Sequence, residues 1–213
     1  MNKIKAVGVI IKTMEYQEND KICTMYSNIL GKISFLARGA KKNRSKLSSS
    51  TNDFIYGEFV LTKGRSLYYL DDASVIEAFR QFSEDLIKIT YASYFCELID
   101  IACVSDERND QLFKEFISAL YILKLNIMKA ETLARIFEIK IIYLNGFCIE
   151  KLNESSDGVK HVIKYILNND IKLLYKLRIE GIIKEELDII LNTIVKTNFM
   201  RKPKSLELLN YIK

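Results

Sequence analysis

Close to Ser83 the spacing of apolar residues changes. Before it, apolar and polar residues alternate in short runs, as half-buried strands require; after it they recur every three or four residues, the period of a helix. A chain that switches from one period to the other folds as segregated β and α parts. The expected class is therefore α+β, with residues 1–80 and 81–213 as two domains. In the first, Val7-Gly8-Val9-Ile10-Ile11-Lys12 is short and β-branched, and Lys21-Ile22-Cys23-Thr24-Met25-Tyr26-Ser27 alternates polar with apolar. Asn28-Ile29-Leu30-Gly31 turns the chain into a third strand, Lys32-Ile33-Ser34-Phe35-Leu36, after which Gly39 and Ser48-Ser49-Ser50-Thr51-Asn52 mark a long exposed loop. Strand signals resume over 53–62 and 66–70 around a compact turn at Lys63-Gly64-Arg65, and Val75-Ile76-Glu77-Ala78-Phe79 adds a last extended piece. Five short strands with a long loop after the third fit an oligonucleotide-binding (OB) type β-barrel.

The second part reads as helices throughout. Ser83-Glu84-Asp85 caps a helix that carries Leu86, Ile89, Tyr94, Leu98, Ile101 and Ala102 to a break at Ser105-Asp106. A second helix is expected over 109–127 and a third over 130–144, closed by Asn145-Gly146. Further starts lie near Asp157, Asp170 and Lys184. Pro203, the single proline, opens a last helix through Leu206, Leu209 and Ile212. The polar stretch 146–157 interrupts the helical pattern, and no internal repeat is visible.

Charge is distributed unevenly over this frame. Residues 1–80 hold 13 basic and 8 acidic side chains, residues 81–213 hold 19 of each, so the net +5 sits in the first part. From Lys21 to Asn52 there are seven Lys or Arg and no Asp or Glu. The densest stretch places Arg38, Lys41, Lys42, Arg44 and Lys46 on a glycine- and serine-containing loop expected to be mobile, able to follow an irregular phosphate track. Lys32, Lys63 and Arg65 extend the patch. The barrel aromatics Phe35, Tyr56, Phe59, Tyr68 and Tyr69 are candidate stacking platforms for unpaired bases, with Phe35, Tyr56 and Tyr68 foremost. Alternation puts Tyr68 and Tyr69 on opposite faces, so only one of them can face a bound strand.

Other chemistries find no seat. A structural zinc site needs closely spaced Cys or His ligands; Cys23, Cys96, Cys103 and Cys148 are far apart and His161 is the single histidine. Dispersed cysteines of this kind suit buried, reduced thiols. There is no G-x-S-x-G elbow, no phosphate loop and no dinucleotide fingerprint. Asp71-Asp72 is an adjacent acidic pair, but neighbours on an extended chain point apart, so a solvated turn is expected in place of a metal site. No apolar run reaches the eighteen or so residues of a membrane span, and Met1-Asn2-Lys3-Ile4-Lys5 lacks the apolar core of a signal peptide, so the expected location is the cytoplasm. The residues alone thus indicate binding without catalysis. They leave open DNA binding, RNA binding by an OB protein of the translation apparatus, and a protein-interaction adaptor whose basic loop meets an acidic partner.

The segment Gly31-Lys32-Ile33-Ser34-Phe35-Leu36-Ala37-Arg38-Gly39-Ala40-Lys41-Lys42-Asn43-Arg44-Ser45-Lys46 resembles the signature of RecO, the bacterial DNA repair and recombination mediator family: a glycine closes a turn, a strand follows, and a Gly-Ala-basic run ends in Ser. Ser156-Asp157-Gly158-Val159 leading to Tyr165-Ile166-Leu167, and Lys204-Ser205-Leu206-Glu207-Leu208-Leu209 near the end, are similar to elements of that family's helical domain. The resemblance implies a non-enzymatic protein of the RecF pathway. Such a protein binds single- and double-stranded DNA, anneals complementary strands, associates with RecR and engages the acidic C-terminal tail of single-stranded DNA-binding protein so that RecA is loaded. It implies a nucleoid-associated protein, with Arg201, Lys202 and Lys204 as a candidate cationic rim for the tail. Many family members carry a four-cysteine zinc module where this chain has only residues 146–155. The resemblance implies that the module is deleted here, so no bound zinc is expected, and that Cys148 falls before its first ligand position.

Overall fold

Strands β1 (Lys3–Tyr16), β2 (Asp20–Ser27), β3 (Gly31–Ala37), β4 (Tyr56–Lys63) and β5 (Tyr68–Glu77) close into a barrel in the order β1-β2-β3-β5-β4. The computed structural model describes residues 3–42, 44–147, 154–199, 201 and 203–211. β1 is long enough to serve two neighbours, pairing with β4 over residues 3–9 and with β2 over 8–16, and a bulge between Ile10 and Lys12 bends it between them. Parallel pairing of Phe35 with Tyr68 and of Leu36 with Tyr69 shuts the barrel. Alternation sends Cys23, Met25, Ile33, Phe35, Phe59 and Leu61 inward, where the Phe35 and Phe59 rings pack with centroids 5.7 Å apart. This is the OB-type barrel that the strand signals indicated, followed by helices.

Two strand readings need correction. β1 runs well beyond 7–12 at both ends, because each half has its own partner. Asp71 and Asp72, expected in a solvated turn, lie inside the continuous strand β5. The register slips opposite Val60 and Leu61, and this bulge lets both carboxylates face water without breaking the strand. Asp71 then accepts a hydrogen bond from the Thr62 hydroxyl at 2.8 Å and pairs with Lys3 at 3.6 Å.

The barrel unit comprises the chain up to Arg80 together with Cys103–Phe113. That later segment docks at the start of β3. The Asp106 N–H donates to the Lys32 carbonyl at 3.0 Å, Ser105 bridges Lys32, and Phe113 packs on Tyr26 with ring centroids 6.2 Å apart. Gly31 makes the approach possible. It sits at φ +63°, and a Cβ there would collide with the Glu107 carbonyl.

The second unit, Gln81–Ala102 with the described residues from Lys114 onward, is helical. The helices are α1 (Leu86–Ala102), α2 (Asp110–Lys124), whose first turn belongs to the barrel unit, α3 (Ala130–Leu144), α4 (Asp157–Leu167) and α5 (Gly181–Asn198). Within the expected Ser83-Glu84-Asp85 cap, the Asp85 carboxylate accepts the Ile87 and Lys88 N–H groups at 2.9 and 3.1 Å. Phe95, Phe116 and Phe137 form an aromatic core between α1, α2 and α3. The start expected near Asp170 yields only one 3₁₀ turn, Ile171–Leu173, and the proline-led last helix is a 3₁₀ helix, Ser205–Tyr211. Glu97 holds its entrance by accepting from the N–H groups of Lys204 and Ser205 and from the Ser205 hydroxyl.

Candidate nucleic-acid interface

Residues 38–55 leave β3 and return to the barrel before β4. They form hydrogen-bonded turns in place of the expected mobile loop. The Gly39 N–H donates to the Asp20 carboxylate at 2.7 Å and the Lys41 N–H to the Asn19 carbonyl at 2.9 Å, which ties the first turn to the β1–β2 connection. Lys42, Ser45 and Ser48 then each donate to the residue three back, at 3.1, 3.0 and 3.2 Å. The Lys21 ammonium reaches the Thr51 carbonyl and the Asn52 side chain, and the Phe54 N–H bonds the Ile10 carbonyl at 2.9 Å. Ala40, Ser50, Thr51 and Ile55 are buried. Buried side chains and satisfied backbone groups leave such a segment little freedom, which explains the departure from the composition-based reading.

On this framework Arg38, Lys42, Arg44 and Lys46 are exposed, as are Lys63 and Arg65 in the β4–β5 turn. Among the described residues none of the six has a carboxylate partner. Tyr69 joins the two groups. The Arg38 guanidinium lies over the Tyr69 ring, 4.8 Å from its centroid. The Gly64 backbone meets the same ring so closely that a Cβ there would be 2.5 Å from Tyr69 Cε2. The cation–π contact is worth about 0.5–1 kcal/mol at an exposed site, and its greater effect is to fix where the guanidinium stands.

Other sequence candidates lie elsewhere. Lys41 is half-buried and ion-paired with Glu15 at 2.7 Å; the Lys41 hydrogen bond and charge hold the Glu15 carboxyl below the usual carboxylate range. Lys32 begins β3, six residues before Arg38, which at strand rise is roughly 20 Å away. At that distance it does not extend the patch; its backbone carbonyl accepts from the Asp106 N–H. Phe35 and Tyr68 are core residues, 0% and 8% exposed, and cannot stack on a base; Phe59 is likewise internal. Tyr56 pairs with Val9 and Glu77 at the end of β4 opposite Lys63. Of the adjacent pair Tyr68 and Tyr69 the outward ring is Tyr69, and the alternation that buries Tyr68 was the signal for it.

In the helical unit, the Arg201 guanidinium is ion-paired with Asp100, which weakens its candidacy as a rim for an acidic tail. Lys202 lies outside the described residues, and Lys204 is exposed beside Glu97. Among the described residues no group of three or more His, Cys, Asp or Glu side chains could hold a metal ion, and no helix is long and apolar enough to cross a membrane. Cys23, Cys96 and Cys103 are buried and form no disulfide among the described residues, and Cys148 lies outside them.

Comparison with known proteins is consistent across both parts of the chain. Residues 1–79 match the family described as Recombination protein O N terminal, and residues 83–160 match Recombination protein O C terminal. The DNA repair protein RecO of Clostridium novyi is 36% identical over 98% of this chain and 94% of its own length. That of Clostridium acetobutylicum is also 36% identical, over 100% of this chain and 99% of its own. That of Caldicellulosiruptor saccharolyticus is 30% identical over the whole of both. The C. acetobutylicum alignment runs 245 positions across the 213 residues here, which leaves 32 positions without a counterpart in this chain. With both segments matched and relatives aligned from end to end, the chain belongs to the RecO family of DNA repair proteins.

Proposed function

We propose that this protein is a DNA-binding recombination mediator that works without catalysis, using the six cations without carboxylate partners on the 38–46 and 63–65 turns as its phosphate-binding surface. The observation that carries the reading is their freedom from carboxylates on a framework of fixed turns. Cations held apart from acids keep their full attraction for a polyanion and release counterions when one binds. Strand annealing follows from the same physics, since two polyanions approach more readily where their repulsion is locally neutralised. The family resemblance supplies the rest of the proposal: association with RecR, capture of the acidic tail of single-stranded DNA-binding protein, loading of RecA, and a cytoplasmic, nucleoid-associated location. For that tail, the helical unit also offers a cleft of about 670 Å³, which carries Glu131 and Glu180 among its cations. Lys129, Lys176 and Arg178 stand on it beside Ile127 and Tyr175.

Fluorescence anisotropy with single-stranded DNA, duplex DNA and RNA, each at several salt concentrations, tests the reading. Replacing Arg38, Lys42, Arg44 and Lys46 together with alanine should weaken DNA binding for every sequence. On a single strand the salt slope should flatten by about 0.7 per lost contact, or roughly 3 in all. Unchanged affinity and slope in the variant would remove the basis of the proposal. A clear preference for structured RNA would favour a translation role, and weak binding to every nucleic acid an adaptor.

A further inference from the structure

Helix α5 is fastened on one side and bare on the other. Leu187, Leu191, Ile194 and Val195 are buried, and ion pairs join Asp188 to Arg135 at 2.6 Å and Lys184 to Glu131 at 3.0 Å, so α3 grips the inner face. On the outer face stand Ile182 and Ile189, 81% and 68% exposed, the two most exposed large apolar side chains among the described residues. They lie one heptad apart. With Glu185, Asn192 and Lys196, all exposed, they recur at alternating spacings of three and four residues, which keeps the five side chains on one stripe along the helix. Among the described residues neither Glu185 nor Lys196 has an ion-pair partner.

We propose that this stripe is a self-complementary interface on which α5 of a second copy of this chain packs antiparallel, an inference independent of the DNA-binding reading above. Exposed isoleucines gain by being covered, and the order of charges selects what covers them. The stripe carries its acid toward the start of the helix and its base toward the end, so it complements its own reverse. A two-fold axis level with Ile190 and Leu191 sets each Glu185 against the partner's Lys196 and brings the two Ile189 side chains together beside the axis. A parallel pair would instead oppose like charges at both positions. The seam from Ile182 to Lys196 is roughly 22 Å long, which places the contact among the small, weak and reversible ones.

Sedimentation velocity of the full chain without nucleic acid, over a concentration series, tests the proposal. The mean mass should rise from one chain toward two with a Kd of about 10–100 µM. Ile189→Lys should leave the protein monomeric across the series. Glu185→Lys and Lys196→Glu should each weaken association at least about tenfold, because either change opposes like charges twice, and the two together should restore it. Unfolding midpoints of the variants confirm the fold; if Ile189→Lys lowers its midpoint, the charge exchanges decide. A chain that stays monomeric throughout would overturn the proposal and leave the stripe to a different protein. A dimer indifferent to Ile189→Lys or to the single charge changes would overturn it as well, and so would a double exchange that fails to restore association.

Discussion

The Lys41 ammonium sits 2.7 Å from the Glu15 carboxylate, so one of the five cations in the densest basic run is neutralised by a residue 26 positions earlier. Removing that carboxylate should release the charge. Glu15→Gln is expected to raise affinity for single-stranded DNA and to steepen the salt slope by up to about 0.7, whereas Lys41→Ala should cost less than Lys42→Ala. The Glu15 carboxyl is held below its ordinary range by Lys41, so it contributes stability above the unfolded-state value and loses it as pH falls through the lowered one. DNA binding should therefore strengthen in acid only below the usual carboxylate range. Anisotropy titrations across salt and pH check both effects, and a Glu15→Gln protein indistinguishable from wild type would place Lys41 outside the binding surface.

Gly64 lets the β4–β5 turn close on Tyr69. A Cβ there would lie 2.5 Å from the Leu67 carbonyl and 2.5 Å from the Tyr69 ring, distances that force something to move. Gly64→Ala should lower stability by about 1–3 kcal/mol in urea unfolding. It should also displace the ring beneath Arg38, so DNA affinity should fall although no charge has been removed. A variant that loses stability and keeps full affinity would show that the Tyr69–Arg38 contact does not set the geometry of the patch.

Much of this arrangement could be read from the residues. The alternation in 21–27 and 32–36 marks two strands, although Phe35, a candidate platform for bases, faces Cys23 across the β2–β3 pair inside the barrel. The period change near Ser83 marks where the helices begin. What the sequence concealed depends on long-range pairing. Lys32 and Arg38 belong to one basic run, yet strand rise carries them to opposite ends of β3. Lys41 meets Glu15 and Arg201 meets Asp100 because of the fold, and no local pattern announces such partners. The bulge that keeps Asp71 and Asp72 in β5 is likewise invisible to a period of two. Composition suggested a mobile loop over 38–46, because glycine and serine counts carry no record of how Ala40 and the following Ser50 and Thr51 are buried.

Cys23 lies in the barrel core, fully buried, and burial pushes its thiol up to about 12. Only the thiolate reacts, so Cys23 should stay unmodified by iodoacetamide at pH 8 in the folded protein and react on unfolding in urea. The stability consequence has a definite sign. A raised folded-state value means that the unfolded chain ionises first. The Cys23 contribution is thus present in full below about pH 9 and is lost as pH rises from there toward 12. Peptide mapping by mass spectrometry decides the first point; rapid native labelling of Cys23 would mean that the barrel opens readily.

Lys140 and Glu115 form a buried ion pair in the helical unit, 2.9 Å apart, with side chains 5% and 2% exposed. Their remaining bonds explain how the charges are tolerated. Lys140 also donates to the Asn169 carbonyl at 2.5 Å, and the second Glu115 oxygen accepts the Ile171 N–H at 2.9 Å, so the pair fastens α2 and α3 to the turn after α4. Breaking it from one side leaves an uncompensated buried charge. Glu115→Leu should cost about 3–5 kcal/mol, and the Lys140→Met, Glu115→Leu double substitution should recover most of that loss. Recovery should stop short by about 1–3 kcal/mol, because the Ile171 N–H stays buried without an acceptor. Glu115→Gln keeps one acceptor for the Ile171 N–H but turns its NH2 toward the Lys140 ammonium, so its cost combines the lost charge with a lost acceptor. Urea unfolding of the four proteins resolves these quantities, and a double variant no more stable than Glu115→Leu would show that Ile171, and not the charge on Lys140, is what Glu115 serves.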